Sequence, residues 1–135
     1  MVIEGDVLSF DFVVRGLADP ADVGNWDHQM ELRRRNICLL ANSFESDGFD
    51  VVIDDVVVSR TALADYDALS SPAQLVVLAP SLDVARGRDA ERHKQVFEMW
   101  NHLDAELRTE LAGVGRWIDS SELSVDETVN AILAT

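Results

Sequence analysis

Two short apolar runs constrain this chain more than any other feature: DVVIDDVVV at residues 50–58 and QLVVLAP at residues 74–80. Neither shows the strict apolar–polar alternation of a strand with one wet side, and the first is interrupted only by two adjacent acids. Helical patterns stand before, between and after them. Strands that are apolar throughout and alternate with helices specify a parallel sheet covered by helices on both faces, so the sequence reads as α/β. With 135 residues, a single domain is expected over 1–135.

The remaining elements follow from local signals. Residues 2–5 form a short apolar start that breaks at Gly5-Asp6, and residues 6–15 read as a helix with Asp6 as its N-cap. Gly, Pro and Asp make residues 16–25 a loop. A long helix is predicted over 26–47, closed by Gly48, with Trp26, Met30, Ile37 and Phe44 in one stripe at 3.6 residues per turn. Residues 59–69 form a helix capped by Ser59. Residues 81–113 are helical with a break near 94–97, residues 116–119 are a short strand, and 124–134 a last helix whose Ser124 and Glu127 have capping-box spacing.

Charge excludes some partners. Net charge is −14, with 25 acids against 11 bases, and clustered Lys and Arg are what phosphate backbones and anionic membranes require. Neither nucleic acid nor membrane is therefore an expected partner, and no apolar run approaches the ~20 residues of a membrane span. Cys38 is the only cysteine, and the N-terminus lacks the pattern of a signal peptide; a cytoplasmic protein is the expectation.

In α/β sheets function gathers beyond the carboxyl ends of the strands. Asp6 stands there, as a general base or a plain N-cap. Asp54 and Asp55 interrupt a Val/Ile strand, either as a Walker-B-like acid reaching Mg²⁺ through water or as strand-end acids bonded to backbone amides. Alternation sends the two to opposite faces. Arg33 falls in the middle of the apolar stripe of the long helix, so its guanidinium needs an anion, either an internal carboxylate or a bound substrate. Asn36, near the opposite edge, faces substrate or solvent. Arg86, Arg88 and Arg92 crowd one polar segment after a strand-ending proline, as a lid near 81–95 or as a solvated helix. His28, His93 and His102 show no metal spacing.

EGD at 4–6, WDHQMELRRRN at 26–36, GFDVVIDDVV at 48–57, LVVLAPSLDVARGRDAERHK at 75–94 and WNHLDAELRTELAGVGRWIDSSELSVDETVNAIL at 100–133 occur in this order. Together they resemble the P-loop phosphotransferases similar to chloramphenicol phosphotransferase, a branch of the adenylate-kinase-like group. The resemblance spans essentially the whole chain. It implies an ATP- and Mg²⁺-dependent small-molecule kinase in which Asp6 accepts a proton from an acceptor hydroxyl. It also implies that Asp54 and Asp55 sit at the Walker-B-like strand, that Arg86, Arg88 and Arg92 approach ATP from the lid, and that Arg33 and Asn36 lie near the acceptor.

The resemblance also implies a first strand followed by GxxxxGK[ST], which residues 1–135 do not contain; the only lysine is Lys94. The expectation is a truncated or mis-started kinase body, weakly active or inactive without the phosphate loop. The absent strand would lie between the strands at 50–58 and 74–80, leaving two apolar edges that invite pairing with another chain. The alternative is therefore a non-catalytic interaction module that oligomerises through those edges.

Overall fold

The computed structural model describes residues 1–10, 19 and 21–134. Residues 11–15 of the helix expected at 6–15, and residues 16–18 and 20 of the loop expected at 16–25, lie outside the described residues. The chain is mixed α/β and divides into two compact units, Met1–Ala73 and Gln74–Thr135. Each contains one pair of parallel strands joined through helices, as parallel pairing demands.

The first unit runs β1 (Val2–Glu4), α1 (Gly5–Phe10), α2 (Val23–Ser46), β2 (Val52–Asp54) and α3 (Arg60–Ala64), followed by a 3-10 helix over Asp65–Ala68. β1 and β2 pair in the register Val2↔Val52, Ile3↔Ile53 and Glu4↔Asp54. Ile3 and Ile53 turn toward α2, where Ile3, Ile37 and Ala41 form a core with Leu8, Val51, Tyr66 and Leu69 packed around it. Burying each large aliphatic side chain here contributes about 1.5–3 kcal/mol. The other sheet face differs from the expected two-sided cover: Val2 and Val52, register neighbours, are each 60% exposed.

β2 is three residues long, against the nine-residue run at 50–58 of the sequence. Its partner explains this. β1 leaves the extended conformation at Gly5, so no ladder exists beyond Glu4 to carry β2 past Asp54. Asp6 accordingly stands in the first turn of α1, two residues past the cap position, where its charge still favours the helix dipole.

α2 starts at Val23, three residues ahead of Trp26, and buries Arg33, Ile37, Cys38 and Ala41. Its end is set by Gly48 at φ +85°, the left-handed conformation that glycine adopts without strain. The Gly48 N–H donates to the Glu45 carbonyl at 2.9 Å and the Phe49 N–H to the Phe44 carbonyl at 3.1 Å. These two bonds make a Schellman motif, and its usual apolar contact is present as an edge-to-face pair of Phe44 and Phe49, centroids 5.9 Å apart. The 3-10 helix is fastened to α2 by Asn42, which donates to the Ala68 carbonyl at 3.0 Å and accepts the Ser70 N–H at 2.8 Å.

The second unit runs β3 (Val76–Leu78), α4 (Leu82–Ala90), α5 (Phe97–Trp100), α6 (His102–Glu110), β4 (Arg116–Ile118) and α7 (Val125–Leu133). β3 and β4 are parallel, with Val77 opposite Trp117. Val77, Leu111 and Ile118 are buried. The expected helix break falls at residues 91–96, and Asp89 organises it: its carboxylate accepts the N–H groups of Val96 and Phe97 at 3.0 Å, at the start of α5. Ser124 and Glu127 form a reciprocal capping box on α7. At the other end of α7, Arg116 donates to the carbonyls of Ala131, Ile132 and Ala134, which the helix itself leaves unsatisfied. Among the described residues no helix is long and apolar enough to cross a membrane.

Candidate active site at the strand ends of the first unit

The carboxyl ends of β1 and β2 lie side by side, one continuing into Gly5-Asp6 and the other into Asp55. Arg33 reaches this point from the middle of α2. Its guanidinium forks: Nη2 is ion-paired with Asp55 Oδ1, while Nη1 lies 3.4 Å from Asp6 Oδ1 and 3.4 Å from Ser9 Oγ. The second Asp55 oxygen accepts the Tyr66 hydroxyl at 2.6 Å. A planar fork serving two carboxylates is a task for arginine and not for lysine.

Burial differs sharply across the cluster. The side chains of Asp55 and Arg33 are 2% and 8% exposed, whereas that of Asp6 is 63% exposed. The inner pair thus compensates two buried charges, and Asp6 presents the cluster's carboxylate to solvent. Without its partners, either inner charge would carry a desolvation cost of several kcal/mol. Arg33 Nε is buried with no hydrogen-bond partner among the described residues. Tyr66 ionises far above the ordinary tyrosine range, first because it is buried and second because its hydroxyl donates to Asp55. It is a proton donor fixed in its neutral form.

Gly5 makes this arrangement sterically available. A Cβ there would lie 2.9 Å from Asp55 Cγ and 3.3 Å from Arg33 Cζ. The EG step before Asp6 is therefore the gap into which the buried ion pair fits.

Three of the residues singled out in the sequence, Asp6, Arg33 and Asp55, converge here. Asp54 and Asp55 turn to opposite sides, as alternation requires: Asp55 is engaged by Arg33 and Tyr66, and Asp54 is exposed beside Glu4 in the register. No group of three or more His, Cys, Asp or Glu able to hold a metal ion occurs among the described residues. Asn36 is exposed on α2. Arg34 pairs with Asp65 at 2.6 Å and helps hold the 3-10 helix. Cys38 is buried, with its thiol 3.6 Å from the Asp65 carbonyl; burial, and then the Asp65 charge, push that thiol up.

The lid arginines have distinct surroundings within the second unit. Arg88 Nη2 donates to the carbonyls of Ser120, Ser121 and Leu123 at 2.8, 3.4 and 3.2 Å, bracing α4 against the segment after β4. Arg86 pairs with Glu98 at 3.1 Å and stands over the Phe97 ring, on an open cleft of about 610 Å³. Arg92 is exposed in the break, where its charge adds to the Val96 and Phe97 N–H groups in holding the Asp89 carboxyl low.

Ser9 and Tyr66 were not singled out. Ser9 had a signal, since it lies three residues after Asp6 and so shares its helix face. Tyr66 had none, being an isolated aromatic in an acidic stretch whose partner lies 11 residues away. No protein-family model, curated protein or solved structure matches this chain.

Proposed function

We propose that this chain is the body of an ATP-dependent phosphotransferase acting on a small-molecule hydroxyl, of the adenylate-kinase-like P-loop type. The observation that carries the reading is the solvent-facing Asp6 carboxylate held by Arg33 at the carboxyl ends of two parallel strands, the position where α/β sheets take their ligands. Asp6 would accept the proton of the acceptor hydroxyl as that oxygen attacks the γ-phosphoryl group. ATP would supply the phosphoryl group and Mg²⁺ would neutralise its oxygens. Asp54 is the strand acid that would face the hydrated ion, because Asp55 is engaged by Arg33 and Tyr66. Of the three lid arginines that would stabilise transferring charge, Arg88 is spent on three backbone carbonyls within its own unit. Residues 1–135 contain no GxxxxGK[ST], so the reading requires a phosphate-binding loop from outside them.

The test is γ-phosphoryl transfer from radiolabelled ATP by the intact natural gene product, with and without Asp6→Asn. General base catalysis contributes about 10²–10⁴-fold, so Asp6→Asn should lower turnover by that order. Unchanged turnover would remove Asp6 from the role.

A second reading, a non-catalytic interaction module, is favoured by the sheets. Each is a parallel pair of three-residue strands, and such pairs are seldom left uncovered, yet Val2, Val52 and Leu78 are exposed. This reading expects a stable oligomer, through pairing at the open sheet edges, and no ATP binding. Sedimentation and calorimetric titration with ATP separate the two.

A further inference from the structure

We propose that Arg33 is a positioning residue for Asp6, and that Asp55 and Tyr66 are the fixed frame that positions Arg33. The inference rests on the reading of Asp6 as the general base and extends it to the residues behind it.

The Asp6 carboxylate stands on the first turn of a short helix and is 63% exposed. A base has to be held within about 0.5 Å of the productive geometry. Arg33 supplies such a constraint, because its two amino groups are rigidly related: once Nη2 is fixed on Asp55, the place of Nη1 beside Asp6 Oδ1 and Ser9 Oγ is fixed as well. Asp55 is fixed in turn by the Tyr66 hydroxyl on its other oxygen and by the backbone of Gly5 against its carboxyl. The order from rigid to reactive is thus Tyr66, Asp55, Arg33, Asp6, and exposure rises sharply only at the last member.

A purely structural ion pair would contain the same Arg33–Asp55 contact, so stability alone cannot separate the two roles. A double-mutant cycle can. The readout is ATP hydrolysis by the intact natural gene product, with water in place of the acceptor hydroxyl, and kcat and KM for ATP are measured separately. Arg33→Lys keeps the charge and loses the fork; kcat is expected to fall by about 10–100-fold with KM for ATP unchanged. Tyr66→Phe keeps the ion pair and loses one hydrogen bond; the expected fall is several-fold. On an Asp6→Asn background neither substitution should lower kcat further.

Equal losses with and without Asp6→Asn would overturn the proposal, because Arg33 would then act on something other than Asp6. So would a rise in KM at unchanged kcat. If Arg33→Lys does not fold, the Tyr66→Phe arm decides by the same comparison. If Asp6→Asn keeps full kcat, or the wild-type protein does not turn over ATP, the base reading itself has failed, and the positioning role falls with it.

Discussion

Gly5 lies against Asp55 so closely that a methyl group on Gly5 would stand 2.9 Å from the Asp55 carboxyl carbon. The nearest atoms belong to a buried carboxylate already held by Arg33 and Tyr66, so they cannot swing aside as an exposed side-chain tip would. Gly5→Ala is therefore expected to cost about 1–3 kcal/mol, the usual range for overpacking. Urea unfolding checks it, and wild-type stability in the variant would mean that the ion pair can yield.

Asp55 compensates the buried charge of Arg33. Removing one member of such a pair typically costs about 3–5 kcal/mol, and Asp55→Ala should fall near the lower end because Asp6 remains as a partial counter-ion. Combining it with Arg33→Met removes the stranded charge, so the double variant should be more stable than Asp55→Ala alone. Denaturant midpoints of the three proteins decide this.

Tyr66 is the only tyrosine, so tyrosinate absorbance near 295 nm reports it alone. Its ionisation is raised in the folded state, chiefly by burial and then by the bond to Asp55. A raised acid gives stability that is fully present below the unfolded value of about 10 and is lost as pH rises above it. The native protein should therefore show little tyrosinate signal at a pH where the urea-unfolded chain has titrated. The urea midpoint should drop as pH goes from 9 to 11, and less steeply in Tyr66→Phe.

In the second unit the sign is opposite. The carboxyls of Asp89, Asp119 and Glu127 are all held below the ordinary range by neighbouring donors: the N–H groups of Phe97 and Val96 for Asp89, the hydroxyl and N–H of Ser121 for Asp119, and the Ser124 N–H and hydroxyl for Glu127. Lowered acids stabilise above the unfolded values near 4 and lose that contribution as pH falls through the folded ones. Amide protection in α5 and α7, taken relative to the intrinsic exchange rate at each pH, should thus fall first as the pH drops below about 4. Ser124→Ala, which breaks the α7 capping box, should reproduce the α7 part at neutral pH with a loss of about 1 kcal/mol.

Arg88 and Arg92 separate architecture from chemistry. Arg88→Met strands three carbonyls and should lower stability by about 1.5–3 kcal/mol. Arg92→Met, at an exposed position, should change stability by no more than about 0.5 kcal/mol. If the phosphotransferase reading holds, Arg92→Met should instead lower turnover. A cost in melting temperature without a cost in turnover would place Arg92 outside the reaction.

Local signals carried much of this architecture. Gly48 ends α2 where a C-terminal glycine should, Ser59 and Ser124 cap their helices, and an arginine in an apolar stripe found its internal carboxylate. What depended on distant partners was not legible. The strand at 50–58 looked nine residues long because its composition is β-branched, but its ladder stops where β1 turns into α1, some 50 positions earlier in the chain. Arg88 read as a lid residue because its acceptors lie more than 30 residues onward. Tyr66 joins the site through a single bond that no spacing announces.

The turn at Gly48 and Phe49 has a consequence for which aspartate becomes the buried one. Asp54 and Asp55 are chemically identical neighbours, so the attraction of Arg33 cannot choose between them. A shift of β2 by one position would offer Asp54 to the guanidinium with no change in charge. The choice falls to an aliphatic side chain and a handed residue: Ile53 has to reach the α2 core, and the left-handed Gly48 sets how many residues separate the helix from the strand. Lengthening that turn by one residue would therefore exchange the two aspartates, placing Ile53 in water while leaving every formal charge of the site in place.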